Sequence, residues 1–421
     1  SSAGGKVVWS QADAINVALN YARYPLFCTI DSDTIIDDDA MLRLVRPFQD
    51  EPETVACGGV VRIANGSTVE NGRVIQVRTP RKLLENIQIV EYLRAFLAGR
   101  AGWARMNALL VISGAFGVFR REIVIAAGGY DTNTVGEDAE LVVRLHRYCC
   151  DHEIPYKIQF LADPVCWTQA PDSARFLARQ RDRWHRGLIE LLWKHKGMLF
   201  RRKYGATGML AMPYHVVFEG LGPIAEVLGY SATILALVLG LVDQRIALAM
   251  LVLALTYGLI LSFGALLIED RAYRRYASWT CVGRMVTAAF VENFGYRQWS
   301  SFVRARAFIT LVRGHGWGEM TRVDFNAIAR EHSVAVRVAR AAVGAGLAFA
   351  VVWGGAMGWQ TLRESRAVAK IAALDRQAPV TSDPWPVTAT TDRATTIRVN
   401  GLRLPARATR SAVQVATARG F

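Results

Sequence analysis

Two nearly charge-free stretches of sequence lie close together in the second half of this 421-residue chain. Pro223 to Val242 and Ile246 to Ile268 are separated only by Asp243-Gln244-Arg245. Each covers about 20 residues, which is the length of helix that crosses the hydrocarbon core of a bilayer. A third stretch of this kind runs from Ala339 to Trp359. We therefore expect a membrane protein with three spans, two of them within residues 206–268.

The segment between the second and third stretches, residues 269–338, is rich in arginine. Its apolar part, Val282 to Phe294, is short and interrupted, which favours a helix at the membrane interface. Because positive charge accumulates on the cytoplasmic side, this segment and residues 1–205 are both expected there. Glu226 is a carboxylate within a predicted span. Its position after Pro223 favours the first helical turn near the interface, and a place lining a sugar path is the alternative.

The first candidate site is an aspartate pair. The apolar run from Tyr24 to Ile30 predicts a buried strand, and Asp31-Ser32-Asp33 follows it directly. In open α/β sheets, ligands bind at the carboxyl edge of the strands. Two aspartates separated by one residue of extended backbone point the same way, and their oxygens suit Mg2+ or Mn2+ holding a diphosphate. Helix capping is the alternative. The acids Asp37 to Asp39 are expected in the first turn of a following helix.

A second acidic pair, Glu137-Asp138, follows Gly136 at the start of a predicted helix. A capping box would explain it, but a carboxylate at the rim of a diphosphate pocket could also take a proton from a sugar hydroxyl. Only one of the two can make that contact, and we choose Asp138. Upstream, the small residues of Ser113 to Gly117 separate two predicted strands between Leu109 and Arg121. They would let a ligand approach the backbone, unless they form an ordinary tight turn.

The predicted helix from Asp172 to Lys196 contains Gln180-Arg181-Asp182-Arg183-Trp184-His185-Arg186-Gly187. Arg183 and Arg186 lie one turn apart, a spacing that suits phosphate oxygens or a leaving diphosphate. Trp184 offers a flat face on which a sugar can stack. The alternative is a solvated basic helix with a core tryptophan.

A second long helix is predicted from about Arg81 to Asn107, and it carries Arg94, Arg100, Trp103 and Arg105. It is either a membrane-surface helix or a buried core helix.

The amino-acid composition limits the classes of molecule that this protein is expected to bind. The formal charge of +14 suits nucleic acid, acidic lipid or an anionic substrate. No zinc-finger spacing or RNA-binding aromatic signature is present, so nucleic acid is not expected as a partner. The six cysteines form no Cys-x-x-Cys pair and are interpreted as reduced core residues. The tail from residue 360 has little apolar pattern and is predicted to be disordered.

Several of these motifs share one order with a known family. They are Gly5-Lys6, Asp31-Ser32-Asp33, Ser113-Gly114-Ala115-Phe116-Gly117, Gly136-Glu137-Asp138 and Gln180-Arg181-Asp182-Arg183-Trp184, followed by spans. This order resembles the membrane-bound processive members of glycosyltransferase family 2, which include cellulose, hyaluronan and poly-N-acetylglucosamine synthases. The resemblance covers roughly residues 4 to 325. It implies a GT-A-type α/β domain, followed by transmembrane helices, in the bacterial inner membrane with its catalytic domain cytoplasmic.

The resemblance also implies roles for residues. Asp31 and Asp33 would bind Mg2+ or Mn2+ and the nucleotide diphosphate. Lys6 and Arg183 would contact the donor, and Asp138, with Glu137 beside it, would be the catalytic base. Gln180, Arg183 and Trp184 would form the acceptor and diphosphate site. Ser113, Gly114 and Phe116 would line the acceptor pocket. The partners would be a nucleotide-sugar donor, a glycan or glycolipid acceptor, membrane lipid and other subunits of a synthase complex.

The chain departs from the family pattern at its beginning. Family members carry a span and a first strand ahead of the position of Gly4-Gly5-Lys6, and we expect that an N-terminal part of the fold is lacking here. The sequence contains no Phe-x-Val-Thr gating loop of the kind found in cellulose synthases, so cellulose is a less favoured product than the other polysaccharides. The alternatives are nonprocessive transfer to a lipid or a short acceptor, and an inactive membrane-anchored scaffold.

Overall fold

The computed structural model describes residues 10–312, residues 359, 362 and 366, and three short strands at 390–391, 396–399 and 402–405. Lys6, the third predicted span at Ala339 to Trp359 (apart from Trp359 itself) and most of the tail lie outside these residues. The chain divides into two compact units. One comprises Ser1–Tyr230 with Met250–Leu347, and the other comprises Ser231–Ala249 with Ala348–Phe421.

The first unit is built on a mixed sheet. Its strands are β1 (Leu26–Ile30), β2 (Ile35–Ile36), β3 (Thr54–Ile63), β4 (Thr68–Glu70), β5 (Arg73–Gln76), β6 (Phe116–Arg120) and β7 (Lys157–Thr168). Five of them form one sheet in the order β1-β6-β3-β7-β2, and β4 pairs with β5 as a separate hairpin. β3 runs parallel to β7, while β6 is antiparallel to both β1 and β3. The strands β1, β3 and β7 therefore share one direction, and their carboxyl ends lie at one edge.

Helices cover the sheet and continue beyond it. They are α1 (Gln11–Tyr21), α2 (Ala40–Asp50), α3 (Leu83–Leu93), α4 (Ala101–Arg105), α5 (Arg121–Ala126), α6 (Glu137–Asp151), α7 (Ala174–Lys194), α8 (Met212–Tyr214), α9 (Gly222–Val238), α10 (Gln244–Ala272), α11 (Trp279–Val291) and α12 (Arg297–Val312). A π-helical turn, Arg94–Arg100, joins α3 to α4.

All ten residues of β3 are buried because helices pack on both faces of the sheet. Side chains alternate between the faces of a strand. Cys57 belongs to a core cluster with residues of α2 and α3, whereas its neighbour Ala56 belongs to a second cluster with residues of α1 and α6. In the sequence, Thr54 to Ile63 is a β-rich stretch interrupted by Gly58-Gly59, and β3 has these same bounds.

Two local expectations are wrong. Leu109, Leu110 and Ile112 are buried, but the stretch from Leu109 to Ser113 forms no strand, so β6 alone follows it. The acids Asp37 to Asp39 precede α2 instead of lying in its first turn. One carboxylate oxygen of Asp37 accepts a hydrogen bond from Nε1 of Trp167 at 2.8 Å, which ties it to β7.

The long predicted helix at 81–107 is a core helix. Eight of the eleven residues of α3 are buried, so its apolar positions pack inside the protein. Arg94, Arg100 and Trp103 line an internal cleft, and only Arg105 of that group is exposed. The membrane-surface interpretation of this helix is therefore wrong.

Two helical segments of the described chain are long and apolar enough to cross a membrane: Thr207–Val238 and Gln244–Ala272. A buried core helix can pass the same test of length and composition. In these two segments only 11% and 17% of the most apolar stretch is buried in the protein. Their apolar side chains are thus left without a protein cover, which suits lipid.

The helix predicted at the membrane interface corresponds to α11. Its residues Met285, Ala288 and Ala289 are buried in the core cluster that contains α3. Trp279 and Phe290 are exposed. A helix with one face on the protein and exposed aromatic residues fits an interfacial position, which stays a prediction.

In the second unit, three short strands, β8 (Thr390–Thr391), β9 (Thr396–Val399) and β10 (Leu402–Pro405), pair antiparallel. They fall in the segment for which disorder is predicted, so at these residues the expectation is wrong. The sequence between β9 and β10 is Asn400-Gly401, the dipeptide most typical of a two-residue hairpin.

Candidate active site

A cleft of about 1730 Å³ opens at the carboxyl edge of β1, β3 and β7. Asp31 follows β1, Asn65 lies just beyond β3, and Thr168 ends β7; all three line the cleft. This is the edge at which ligands bind in α/β sheets of this kind. The sheet therefore brings together residues that are more than 100 positions apart in the sequence.

The aspartate pair lies in a turn. The N–H of Thr34 donates to the carbonyl oxygen of Asp31 at 3.0 Å, so the backbone from Asp31 to Asp33 is not extended as predicted. Nevertheless, both side chains line the cleft. Nε2 of Gln11 donates to Oδ1 of Asp31 at 2.9 Å, and the N–H of Asp31 donates to the carbonyl oxygen of Ala115 at 3.2 Å. These contacts hold Asp31 to α1 and to the segment before β6.

The aspartate pair can hold a metal only with help from a ligand. Across the described residues, no group of three or more histidine, cysteine, aspartate or glutamate side chains forms a metal site. Mg2+ in proteins is usually held by one or two carboxylates together with water and the phosphates of a substrate. The residues therefore fit an ion that arrives with a diphosphate and do not fit an all-protein cage.

Asp138 is oriented by backbone groups. Its Oδ2 accepts from the N–H of Gly114 at 2.9 Å, and its Oδ1 accepts from the N–H of Ala139 at 2.8 Å. A β-carbon placed on Gly114 would lie 3.2 Å from Oδ2 of Asp138, so a glycine permits this approach. The residue that caps α6 is Gly136, and no side chain caps the helix end. The capping-box interpretation of the acidic pair is therefore wrong.

Glu137 lies beside Asp138 in a strongly perturbed environment. Burial and the negative charge of Asp138 raise the pKa of Glu137 to about 7. The charge of Arg183 acts in the opposite direction, and that of Asp31 raises the pKa further. Glu137 is thus within electrostatic reach of Asp138, Arg183 and Asp31. A strongly shifted carboxyl group in a cleft is typical of functional sites.

The segment before β6 contributes only partly as predicted. Ser113, Gly114 and Ala115 line the cleft. Phe116 does not: it is fully buried in the core, because it begins β6 and points into the packing between the sheet and the helices. Its assignment to the acceptor pocket is wrong.

The helix α7 delivers three predicted residues to the cleft: Gln180, Arg183 and Trp184. Trp184 is 43% exposed, which rules out a core tryptophan, and the guanidinium of Arg181 lies 5.1 Å from its ring centre. Arg186 does not line the cleft. Its Nε lies 3.2 Å from a carboxylate oxygen of Asp182, so the paired-arginine prediction is wrong.

Several cleft residues were not predicted as site residues. Gln11 contacts Asp31, and Tyr92 and Arg100 lie within the electrostatic reach of Asp33 and Asp138, respectively. For Arg100, the available signal was its place beside Arg94, Trp103 and Arg105 on the long helix predicted at 81–107. For Gln11 and Tyr92, the sequence carries no signal that separates them from ordinary helix residues.

Residues 26–261 match the sequence model of Glycosyl transferase family group 2. The chain belongs to this family. The match and the mixed sheet covered by helices confirm the predicted GT-A-type α/β domain followed by apolar helices.

Known relatives are similar to part of this chain. The poly-beta-1,6-N-acetyl-D-glucosamine synthase of Staphylococcus epidermidis is 30% identical over 182 residues, which is 43% of this chain and 39% of that protein. The synthase of the same name from Staphylococcus aureus strain COL is 29% identical over the same length and the same shares. The chain thus spans about two fifths of the length of these relatives.

A solved structure also resembles the chain at low identity. It is the mannosyltransferase PcManGT from Pyrobaculum calidifontis in complex with GDP-Man and Mn2+. The sequence identity is 16%, the TM-score is 0.41, and the alignment covers 72% of this chain and 66% of that one.

Proposed function

We propose that this protein transfers a sugar from a nucleotide diphosphate sugar to a growing glycan at the inner face of a bacterial inner membrane. One observation carries the proposal: Asp31, Asp33, Asp138 and Arg183 line the same cleft although they come from distant parts of the chain. Paired carboxylates, a further carboxylate and a guanidinium are the groups that such a transfer requires.

The donor would bind at the aspartate pair. Asp31 and Asp33 would hold Mg2+ or Mn2+, which supplies positive charge against the diphosphate. Arg183 would offset the negative charge that grows on the departing diphosphate, because a guanidinium matches phosphate oxygens in geometry as well as in charge. Lys6, which lies outside the described residues, would add a further donor contact.

The acceptor hydroxyl would be deprotonated by Asp138 in a single displacement that inverts the anomeric carbon. Its backbone hydrogen bonds with Gly114 and Ala139 fix the direction of the carboxylate. Glu137 is the competing base, since a pKa of about 7 also suits proton transfer near neutral pH. Gln180 and Trp184, which lie on α7, would bind the acceptor.

The acceptor would be a polymer. The cleft continues from the acidic edge to Glu226 on α9 and to Tyr257 on α10, and both helices are candidate spans. A short acceptor would not need this extension. The names of the relatives make N-acetylglucosamine the first sugar to test. The second candidate function is transfer to a membrane lipid, because the same extension of the cleft reaches helices that suit lipid. Partner subunits of a synthase complex stay a prediction.

The test uses the full-length gene product in native membranes. Labelled UDP-N-acetylglucosamine, UDP-glucose and GDP-mannose are supplied in turn with Mn2+ or Mg2+, and the product is sized. The proposal expects a long product from one donor, whereas a single added sugar or a lipid-linked product would support the second candidate.

Asp138→Asn should abolish transfer while calorimetry still detects donor binding. Glu137→Gln is the matched control, and loss of activity only in that variant would reverse the assignment of the base. A protein that binds none of the donors would be a scaffold.

A further inference from the structure

Arg100 occupies an unusual place in the cleft. It is the last residue of the π-helical turn Arg94–Arg100, and it lines the cleft together with Asp138. Its guanidinium carbon lies 3.9 Å from the centre of the Phe96 ring on the same turn. Single π-helical turns inside a helix are rare and are frequent at functional sites. Stacking on an aromatic ring restrains the guanidinium, so its donors point in a defined direction.

One donor of this guanidinium has no protein partner. Nη1 of Arg100 is buried and makes no hydrogen bond to any described residue. Four other arginines with little exposure also have a buried Nε without a hydrogen bond, but each forms an ion pair with a carboxylate: Arg62 with Glu269, Arg144 with Glu140, Arg181 with Glu91, and Arg186 with Asp182. A buried donor on a charged group is costly when it is left unpaired, and a ligand that supplies the missing acceptor removes that cost.

The charges around Arg100 narrow the class of ligand. The groups that act on it are the carboxylate of Asp138 on α6 and the phenol of Tyr92 on α3. Burial lowers the pKa of Arg100 to about 10, and the charge of Asp138 works against that shift. An anion bound here would be repelled by Asp138. A neutral oxygen, such as a hydroxyl or an acyl carbonyl, accepts the hydrogen bond without this repulsion.

We propose that Arg100 is an acceptor-binding residue, whose Nη1 donates a hydrogen bond to a neutral oxygen of the acceptor sugar and holds that sugar against Asp138. The inference rests on the proposed function. Arg100 moves no proton, since a guanidinium stays charged and offers donors only. Its contribution is to place the attacking hydroxyl near the base, which is how orientation accelerates a transfer between two bound molecules.

The experiment measures the two substrates separately. The full-length protein in native membranes receives labelled UDP-N-acetylglucosamine and a tetrasaccharide of N-acetylglucosamine as the acceptor probe. Arg100→Gln should raise the KM for the tetrasaccharide at least about tenfold, because a hydrogen bond to a charged group is lost. The KM for the donor should stay unchanged. Arg100→Lys keeps the charge but loses the planar arrangement of donors. Its acceptor KM should therefore lie between those of the wild type and Arg100→Gln.

The matched control is Arg105→Gln. Arg105 lies five residues later on α4, is exposed, and carries the same charge, so its replacement should leave both KM values unchanged. An unchanged acceptor KM in Arg100→Gln would overturn the inference, as would a rise in the donor KM alone. If Arg100→Gln does not accumulate, Arg100→Lys decides, and a wild-type acceptor KM in that variant overturns the inference as well. Failure of the proposed function can be distinguished from failure of this inference, because in the first case the wild-type protein itself would transfer no sugar.

Discussion

The guanidinium of Arg62 and the carboxylate of Glu269 form two hydrogen bonds, of 2.8 and 2.6 Å, although 207 positions separate them in the sequence. Arg62 lies on β3, and Glu269 lies near the end of α10, a candidate span. Their side chains are only 1% and 2% exposed. The rings of Trp167, Tyr273 and Tyr276 surround the guanidinium at 5.5 to 5.9 Å. This pair ties the sheet that carries the candidate site to a helix expected in the membrane.

We expect Glu269→Gln to destabilise the protein by about 3–5 kcal/mol, since it leaves a buried guanidinium without its counter-charge. Unfolding by denaturant in detergent micelles measures this change. The double variant Arg62→Met with Glu269→Leu should recover a large part of the loss, because no buried charge remains. The control is Arg46→Gln, which breaks a pair with Asp50 whose side chains are 78% and 63% exposed and should cost at most about 1 kcal/mol. Equal losses in the two single variants would contradict this account.

The sequence predicts local structure well and pairing across the fold poorly. The strand Thr54 to Ile63 and the apolar face of α3 follow from residue pattern alone, because burial imposes that pattern at short range. The partner of Arg62 depends on where α10 packs, and nothing local encodes that. Phe116 illustrates the same limit. Its motif suggests a ligand contact, whereas its position at the start of a central strand buries it.

The candidate site was largely predictable because its residues lie in short motifs with chemistry of their own. Asp31, Asp33, Asp138, Arg183 and Trp184 all reach the cleft. Arg100 was not assigned to it. An arginine on the predicted helix at 81–107 is equally consistent with a membrane-surface helix and with a buried site, and only the packing of the helix separates the two.

The pH dependence of stability should reveal Glu137. Its pKa is raised from 4.5 to about 7 in the folded protein, mainly by burial. Between these two values the folded state holds a proton that the unfolded state has lost, so the free energy of unfolding should fall as pH rises through this window. Above pH 7 both states are ionised and the contribution is constant. Comparing wild type with Glu137→Gln in metal-free buffer checks this: the difference between them should change from pH 4.5 to 7 and not above it. A flat difference would contradict the raised pKa.

Gly187 is expected to control the position of the acidic pair. A β-carbon on Gly187 would lie 3.1 Å from both the nitrogen and the Cα of Gly136, which directly precedes Glu137. Gly187→Ala should therefore shift the start of α6 and lower the rate of transfer, while donor binding at Asp31 is retained. Gly197→Ala is the matched control, since nothing lies within 4 Å of a β-carbon there. Rate assays and calorimetry on both variants check the prediction, and equal rates in the two would refute it.

Trp184 and Trp193 lie on the same helix and offer a matched test of sugar stacking. Trp184 lines the cleft and is 43% exposed, whereas Trp193 does not line it and is 71% exposed. Removing an aromatic platform from a bound sugar costs contact area as well as the favourable face of the ring. Trp184→Ala should therefore raise the acceptor KM, by about tenfold for a loss of about 1.4 kcal/mol. Trp193→Ala should leave that KM unchanged, because its ring lies outside the cleft, where Nζ of Lys196 is 3.8 Å from the ring centre. If both variants weaken acceptor binding equally, the effect comes from the stability of α7 and not from a sugar held at Trp184.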